Sequence, residues 1–194
     1  MVSRITEHIT QKLVASMLIE ESDKDLYTYG FFLLISHLFF FLITIIAGFL
    51  IRIPTESIVF YIVFLFLRTY AGGVHAKTEA TCTILTTFAL TVSIFCIKIL
   101  SQMQSRSCSI FLLISGCLCI LPFSPLDTIA KPLDTLEKSK YRSICYLIVL
   151  LCVAGAVFTY ILQLDTFFCA IAIGVFLESI LILFGAVFNK LKVT

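Results

Sequence analysis

The sequence predicts an all-α integral membrane protein with about six transmembrane helices and an amphipathic interfacial helix at the N-terminus. Of its 194 residues, 60% are hydrophobic and 13% are charged, whereas soluble domains carry roughly a quarter charged residues. A helix needs about 20 apolar residues to cross a bilayer. The stretches without charged residues are 26–51, 57–67, 80–97, 107–126, 143–164 and 166–189, the last interrupted only by Glu178. They lack the alternation of apolar and polar residues that is typical of membrane-barrel strands.

Two of these stretches are shorter than a full crossing. Segment 57–67 would reach only about 16 Å as a helix, and segment 80–97 is slightly short. Segment 57–67 either extends at both ends, with Arg52 and Arg68 snorkelling to the two surfaces, or forms half of a re-entrant hairpin with the segment after it. The sequence leaves both arrangements open.

Residues 3–19 predict an amphipathic helix, because apolar residues recur every four positions and form one stripe. The helix either lies in the membrane interface or packs on the rest of the protein. We expect one domain over 1–194, with the interfacial helix and a charged hinge in 1–25 and the transmembrane bundle in 26–194. The stripe comprises Ile5, Ile9, Leu13 and Met17.

The basic residues predict the orientation. With the N-terminus in the cytoplasm, eleven Lys and Arg residues fall on that side and three on the other, as the positive-inside rule requires. We expect a multi-pass protein of the cell membrane, with both termini and segment 68–79 in the cytoplasm. The first 25 residues do not predict a cleavable signal peptide. No basic run is typical of a nucleic-acid-binding arm, so we expect the bilayer as a partner but no nucleic acid.

Most of the eight cysteines lie in apolar stretches, where a thiol behaves as a small hydrophobe. The sequence has no CxxC pair, so it gives little support to a metal or redox site. We expect these thiols to be reduced and inert, and we expect neither a metal nor a cofactor. The cysteines in apolar stretches are Cys96, Cys117, Cys119, Cys145, Cys152 and Cys169.

The candidate catalytic residues are His75 and Cys82, which lie between two apolar stretches. Ionisable residues at such a position are a functional hypothesis by default. A cysteine peptidase needs a thiolate nucleophile and an imidazole that takes its proton, and the nearby cations Arg68 and Lys77 would favour the thiolate. Taken singly, a membrane cysteine is usually a packing residue and an interfacial histidine is usually solvated. His8 and His37 are weaker candidates.

The spacing of seven residues makes a structural demand. In one straight α-helix His75 and Cys82 would be about 10.5 Å apart along the axis, which is too far for a hydrogen bond. The chain must therefore turn between them, with Cys82 near the start of the next helix, where the helix dipole favours negative charge. The pair Gly72 and Gly73 is suited to a tight turn or to a close approach of a substrate backbone.

The pattern RxxxGGxHA, followed by a cysteine seven residues after the histidine, resembles the AgrB family of Gram-positive quorum sensing. The likeness covers essentially the whole chain, including the N-terminal helix and the polar loop SPLDTIAKPLDTLEKSKYR. It implies a cysteine endopeptidase that processes an AgrD-like propeptide, with Cys82 as nucleophile and His75 as general base. It also implies a homodimer. Arg68 matches a basic position that would contact an acidic part of the propeptide, and Gly72 and Gly73 match the glycine pair.

Further residues are supporting candidates. Glu79 could orient His75 if the chain between them is helical, and is otherwise a solvated surface residue. The basic loop 131–142 either holds an acidic part of the substrate or only retains the segment in the cytoplasm. With Lys77, the supporting basic residues are Lys131, Lys138, Lys140 and Arg142.

The implied reaction releases the C-terminal part of the propeptide and leaves the rest as a thioester on Cys82. A cysteine within the peptide then closes a thiolactone, or a serine closes a lactone. The main alternative is a non-catalytic multi-pass peptide transporter or exporter, in which Glu178 would be the coupling or substrate residue. The simpler explanation for Glu178 is that it pairs with a positive side chain or another polar group inside the bundle. A membrane assembly protein that needs neither Cys82 nor Glu178 is a third reading.

Overall fold

A computed structural model describes residues 2–73, 78–126 and 134–193, with side chains to residue 187. All regular structure in these residues is helical. The described chain forms two compact units, residues 1–43 and 44–194. The helices are α1 (Val2–Ala15), α2 (Lys24–Leu50), α3 (Pro54–Ala71), α4 (Glu79–Gln102), α5 (Arg106–Phe123), α6 (Thr135–Ile161) and α7 (Asp165–Val193), with a single 3₁₀ turn at Glu21–Asp23 before α2.

Helix α7 is the centre of the second unit, because α3, α4, α5 and α6 all pack against it. Its buried surface is broad, since every residue from Phe168 to Val175 is buried. The neighbouring helices instead bury one side and expose large apolar residues on the other, as expected for helices that face lipid. Core residues from α3, α5, α6 and α7 include Leu67, Leu113, Ile120, Val149, Cys152, Ala172 and Val175.

The prediction of an all-α membrane protein is confirmed. Among the described residues, five helices are long and apolar enough to cross a bilayer, namely α2 with the 3₁₀ turn before it, α4, α5, α6 and α7. Helix α3 is not one of them, although it continues well beyond the uncharged segment 57–67 at both ends. Its 18 residues give a length of about 27 Å. It buries Phe60, Phe64 and Leu67 and exposes Ile62 and Phe66, so α3 packs on the bundle with one side.

In the first unit, α1 ends at Ala15, which is earlier than the predicted end at residue 19. Met17 adopts a left-handed conformation with φ of 56°. The amide of Leu18 then donates to the carbonyl of Leu13, and the amide of Met17 donates to Val14, which is a Schellman cap. Of the predicted stripe, Ile5 and Met17 are exposed, whereas Ile9 and Leu13 are half-buried. Whether the stripe lies in the membrane interface or packs on the rest of the protein stays a prediction.

The same cap ends three further helices, and each uses a residue other than glycine in the left-handed conformation. These residues are Arg52, Gln104 and Gln163, with φ of 63°, 49° and 56°. After each one, the next amide donates back to a carbonyl five residues earlier. The caps allow short connections between successive helices, but a residue with a Cβ has a conformational cost in this region.

Replacing Gln104 by glycine should therefore stabilise the protein. Glycine adopts positive φ without steric cost, so we expect a gain of about 0.5–1 kcal/mol and an increase in Tm of about 2–4 °C. A thiol-reactive fluorophore can follow unfolding in detergent, because Cys145, Cys152 and Cys169 are buried and free. Gln102→Gly is the matched control, and it should lower Tm because Gln102 is helical. An unchanged or lower Tm for Gln104→Gly would contradict the expectation.

The start of α6 corrects one prediction. Residues 135–142 were expected to belong to a polar loop, but they form the first two turns of α6. Asp134 and Glu137 form a capping box, in which the Asp134 carboxylate accepts from the amide of Thr135 at 2.7 Å and Glu137 accepts from the amide of Asp134 at 3.5 Å. A capping box satisfies amides that would otherwise lack partners, so the helix begins before the apolar stretch.

Candidate functional site

The glycine pair lies where α3 ends. Gly72 has φ of 83° and ψ of −155°, a region that is essentially restricted to glycine. A Cβ on Gly72 would lie 2.7 Å from the carbonyl oxygen of Leu126. The amide of Leu126 donates to the carbonyl of Ala71 at 2.9 Å, so the two chain segments are in direct backbone contact. The close approach at Gly72 is therefore between two parts of this chain.

Gly73 gives space to a charged side chain. Its φ is 142°, and a Cβ there would collide with Nη1 of Arg68 and lie 3.5 Å from Oε1 of Glu178. Nη1 of Arg68 donates a hydrogen bond to the carbonyl oxygen of Gly72 at 3.2 Å. The guanidinium thus lies against the backbone of the glycine pair, at the end of the helix that carries it.

Glu178 of α7 lies on the other side of this guanidinium. Its Oε1 is 3.9 Å from Nη1 of Arg68, and the exposed fractions of the two side chains are 0% for Glu178 and 16% for Arg68. From the sequence, Glu178 is either a transport residue or the partner of a positive side chain or another polar group. The structure supplies that positive side chain. The contact of Arg68 with the propeptide stays a prediction.

Cys82 lies in the first turn of α4. Thr78 precedes this helix with an extended backbone, φ −126° and ψ 147°, and its side chain accepts from the amide of Thr81 at 3.2 Å. The amide of Cys82 donates to the carbonyl of Thr78 at 3.1 Å. The Cα–Cβ bonds of a helix tilt towards its N-terminus. Cys82 therefore projects towards the helix end from which the chain leads back to His75.

His75 and Lys77 lie outside the described residues, as does Lys131. The extended backbone at Thr78 nevertheless means that residues 75–82 are not one straight helix, which is what a contact between His75 and Cys82 requires at this spacing. The extended backbone at Thr78 also interrupts any helix from His75 to Glu79. Glu79 could orient His75 only if the chain between them were helical, so this condition is not met. Glu79 is half-buried at the first position of α4.

The other predicted basic residues lie on the first turns of α6. Lys138, Lys140 and Arg142 are exposed. Nε of Arg142 donates to the carbonyl oxygen of Ser124 at 3.4 Å, and the rings of Tyr141 and Tyr70 pack edge to face with centroids 5.7 Å apart. These contacts join the start of α6 to the ends of α3 and α5. The basic residues therefore lie at the same end of the bundle as the glycine pair.

Together these features define a polytopic, all-helical membrane protein with a cysteine at a helix start. Its glycine turn packs on a pair of opposite charges, of which the carboxylate is buried. The chain belongs to the AgrB family: the model of accessory gene regulator B matches residues 5–182. This family is associated with the agr quorum-sensing system. The resemblance noted from the sequence is thereby confirmed.

Two relatives from Clostridium perfringens support this assignment. An AgrB-like protein of strain SM101 and an AgrB-like protein 2 of strain 13 are each 27% identical to this chain over 149 residues. Each match covers 72% of this chain and 68% of the relative. No solved structure matches this chain.

Proposed function

We propose that the protein is a membrane cysteine endopeptidase that cleaves an AgrD-like propeptide and promotes its cyclisation. Cys82 is the nucleophile and His75 is the general base. The observation that carries the proposal is the position of Cys82, in the first turn of a helix that begins directly after the segment containing His75. Membership in the AgrB family supports a role in peptide processing.

The position of Cys82 suits a thiolate nucleophile. The first turn of a helix carries partial positive charge from amides without intrahelical partners, and this charge stabilises an anion nearby. Cys82 is also partly exposed, whereas Cys145, Cys152 and Cys169 are buried. A propeptide can therefore reach Cys82 more readily than it can reach the buried thiols.

The reaction has two acyl transfers. His75 takes the proton of Cys82, and the thiolate attacks the carbonyl carbon at the cleavage site. The peptide C–N bond breaks, the imidazolium gives its proton to the departing amine, and a thioester remains on Cys82. A thiol within the bound peptide then attacks this thioester, closes the thiolactone and releases Cys82. A serine in the same place would give a lactone.

No water is consumed in this sequence, because one amide and one thiol become one thioester and one amine. Water must be kept from the acyl-enzyme, since hydrolysis would release a linear peptide. A site at the start of α4, at the expected membrane interface, is suited to limiting the access of water. The exposed Lys138, Lys140 and Arg142 are suited to hold an acidic part of the propeptide, and this attraction should weaken as salt increases.

Replacing Cys82 by alanine should abolish cleavage of the cognate propeptide. The purified protein would be incubated with the propeptide in lipid, and the products would be weighed by mass spectrometry. Cys96→Ala is the matched control, because Cys96 is also partly exposed on α4 but lies about 21 Å further along the helix. His75→Ala should slow cleavage strongly. Folding of each variant is checked by thermal unfolding.

The outcomes separate the candidate functions. Wild-type cleavage that is lost in folded Cys82→Ala and kept in Cys96→Ala supports the peptidase, and a trapped acyl adduct identifies the nucleophile. The cyclic product and the released fragment should together have the mass of the propeptide, without an added water. Normal cleavage by folded Cys82→Ala would reject the proposal. If wild type leaves a verified cognate propeptide intact, transport across vesicles is the function to test.

A further inference from the structure

Glu178 is a buried carboxylate without a hydrogen bond from the described part of the chain. It is fully buried in α7, and neither of its oxygens is bonded by a described residue. Burying such a group is costly unless it is paired. Its oppositely charged neighbour among the described residues is the guanidinium of Arg68, 3.9 Å away. A residue that is retained at this cost calls for a role beyond filling space.

Arg68 connects Glu178 to the glycine turn. From the last turn of α3, its Nη1 donates to the carbonyl oxygen of Gly72 at 3.2 Å. On the other side of the guanidinium lies Gly73. A Cβ at Gly73 would occupy the space that the guanidinium fills. The guanidinium is therefore held between the carboxylate of α7 and the backbone that leaves α3. A charged donor at the end of a helix also stabilises the last carbonyls.

The turn determines where the chain leaves α3 towards His75. Gly73 precedes His75 by two residues, a separation of at most about 7 Å. The other end of the intervening segment is fixed at Thr78, which caps α4 and precedes Cys82 by four residues. The direction of the backbone at Gly72 and Gly73 therefore limits the positions that His75 can reach relative to Cys82.

We propose that Glu178 is a positioning residue for the reaction. From α7 it holds the Arg68 guanidinium against the carbonyl of Gly72, and this contact sets the path of the chain into the segment that carries His75. The proposal rests on the peptidase function proposed above. It assigns Glu178 no contact with the substrate, in contrast to a transport role.

The test measures cleavage and binding separately in the full-length protein in lipid. Glu178→Gln keeps the size of the side chain and removes its charge. We expect the cleavage rate at saturating propeptide to fall by about a hundredfold, as for a misplacement of about 1 Å in an active site, while the Kd for the propeptide stays unchanged. Glu178→Asp, which keeps the charge, should retain part of the rate. Glu56→Gln, in the first turn of α3, is the control and should cleave like wild type.

A double variant, Arg68→Gln with Glu178→Gln, separates positioning from charge neutralisation. It leaves no unpaired buried charge, so it should fold even if Glu178→Gln alone does not, yet it should still cleave slowly because the Arg68 contact to Gly72 is lost. Wild-type rates in folded Glu178→Gln, or in the folded double variant, would overturn the proposal. Failure of both variants to fold would also overturn it, since the pair would then be purely structural.

These outcomes differ from a failure of the peptidase function itself. If Cys82→Ala cleaves normally, the nucleophile is wrong and the positioning proposal falls with it. If cleavage needs Cys82 but is indifferent to Glu178, only the positioning proposal is wrong.

Discussion

Alanine in place of Gly72 should destabilise the protein by about 3 kcal/mol and reduce propeptide cleavage accordingly. The backbone of Gly72 lies in a region that is essentially closed to residues with a Cβ, with φ of 83° and ψ of −155°. The added Cβ would also lie 2.7 Å from the carbonyl oxygen of Leu126. A backbone atom cannot turn aside as a side chain can, so α3 and the chain after α5 must separate.

Gly30→Ala is the control for this substitution. Gly30 lies inside α2, where a Cβ would meet nothing within 4 Å, and alanine is the better helix former. Its Tm should be unchanged or slightly higher, whereas Gly72→Ala should unfold at a much lower temperature in the same thiol-reactivity assay. An equal Tm for Gly72→Ala and wild type would show that the turn does not need the conformation described here.

The helical architecture could be predicted because the bilayer, which is the solvent of these segments, requires it. Long uncharged stretches have to be helices in a bilayer, where every backbone amide and carbonyl must find its partner within the segment. The ends of the helices were less predictable, as α1 and α6 illustrate. The capping box at Asp134 and Glu137 was visible in the sequence, but the charges around it favoured a loop. At Met17, local backbone hydrogen bonds stabilise a left-handed residue that the sequence does not mark.

The candidate site was predictable only in part, for a similar reason. The turn between His75 and Cys82 follows from helix geometry, and the extended backbone at Thr78 agrees with it. The contact between Arg68 and Glu178 joins residues far apart in the sequence, and no spacing rule connects them. The only signal was a single carboxylate in a long apolar stretch, which predicted a partner without identifying it. The choice of partner depends on how α3 packs against α7.

The packing of α5 against α7 should depend on Gly116. In a bilayer, helices associate through close packing, and small residues allow their backbones to approach. A Cβ on Gly116 would lie 3.2 Å from both the Cα and the amide nitrogen of Phe176 and 3.0 Å from Cγ1 of Val175. Gly116→Leu should therefore force α5 away from α7 and cost about 3 kcal/mol, measured as a lower Tm in detergent.

Gly155→Leu on α6 is the matched control for that prediction. There the nearest atom to an added Cβ is the terminal methyl carbon of Ile171, at 3.5 Å, which can move by rotation of a side chain. The loss of stability should thus be clearly smaller at Gly155 than at Gly116. Equal losses would mean that the bundle resists any added volume and that α5 has no special approach to α7. A selective loss at Gly116 would instead show that α5 approaches α7 closely next to Phe176, within the helix that also carries Glu178.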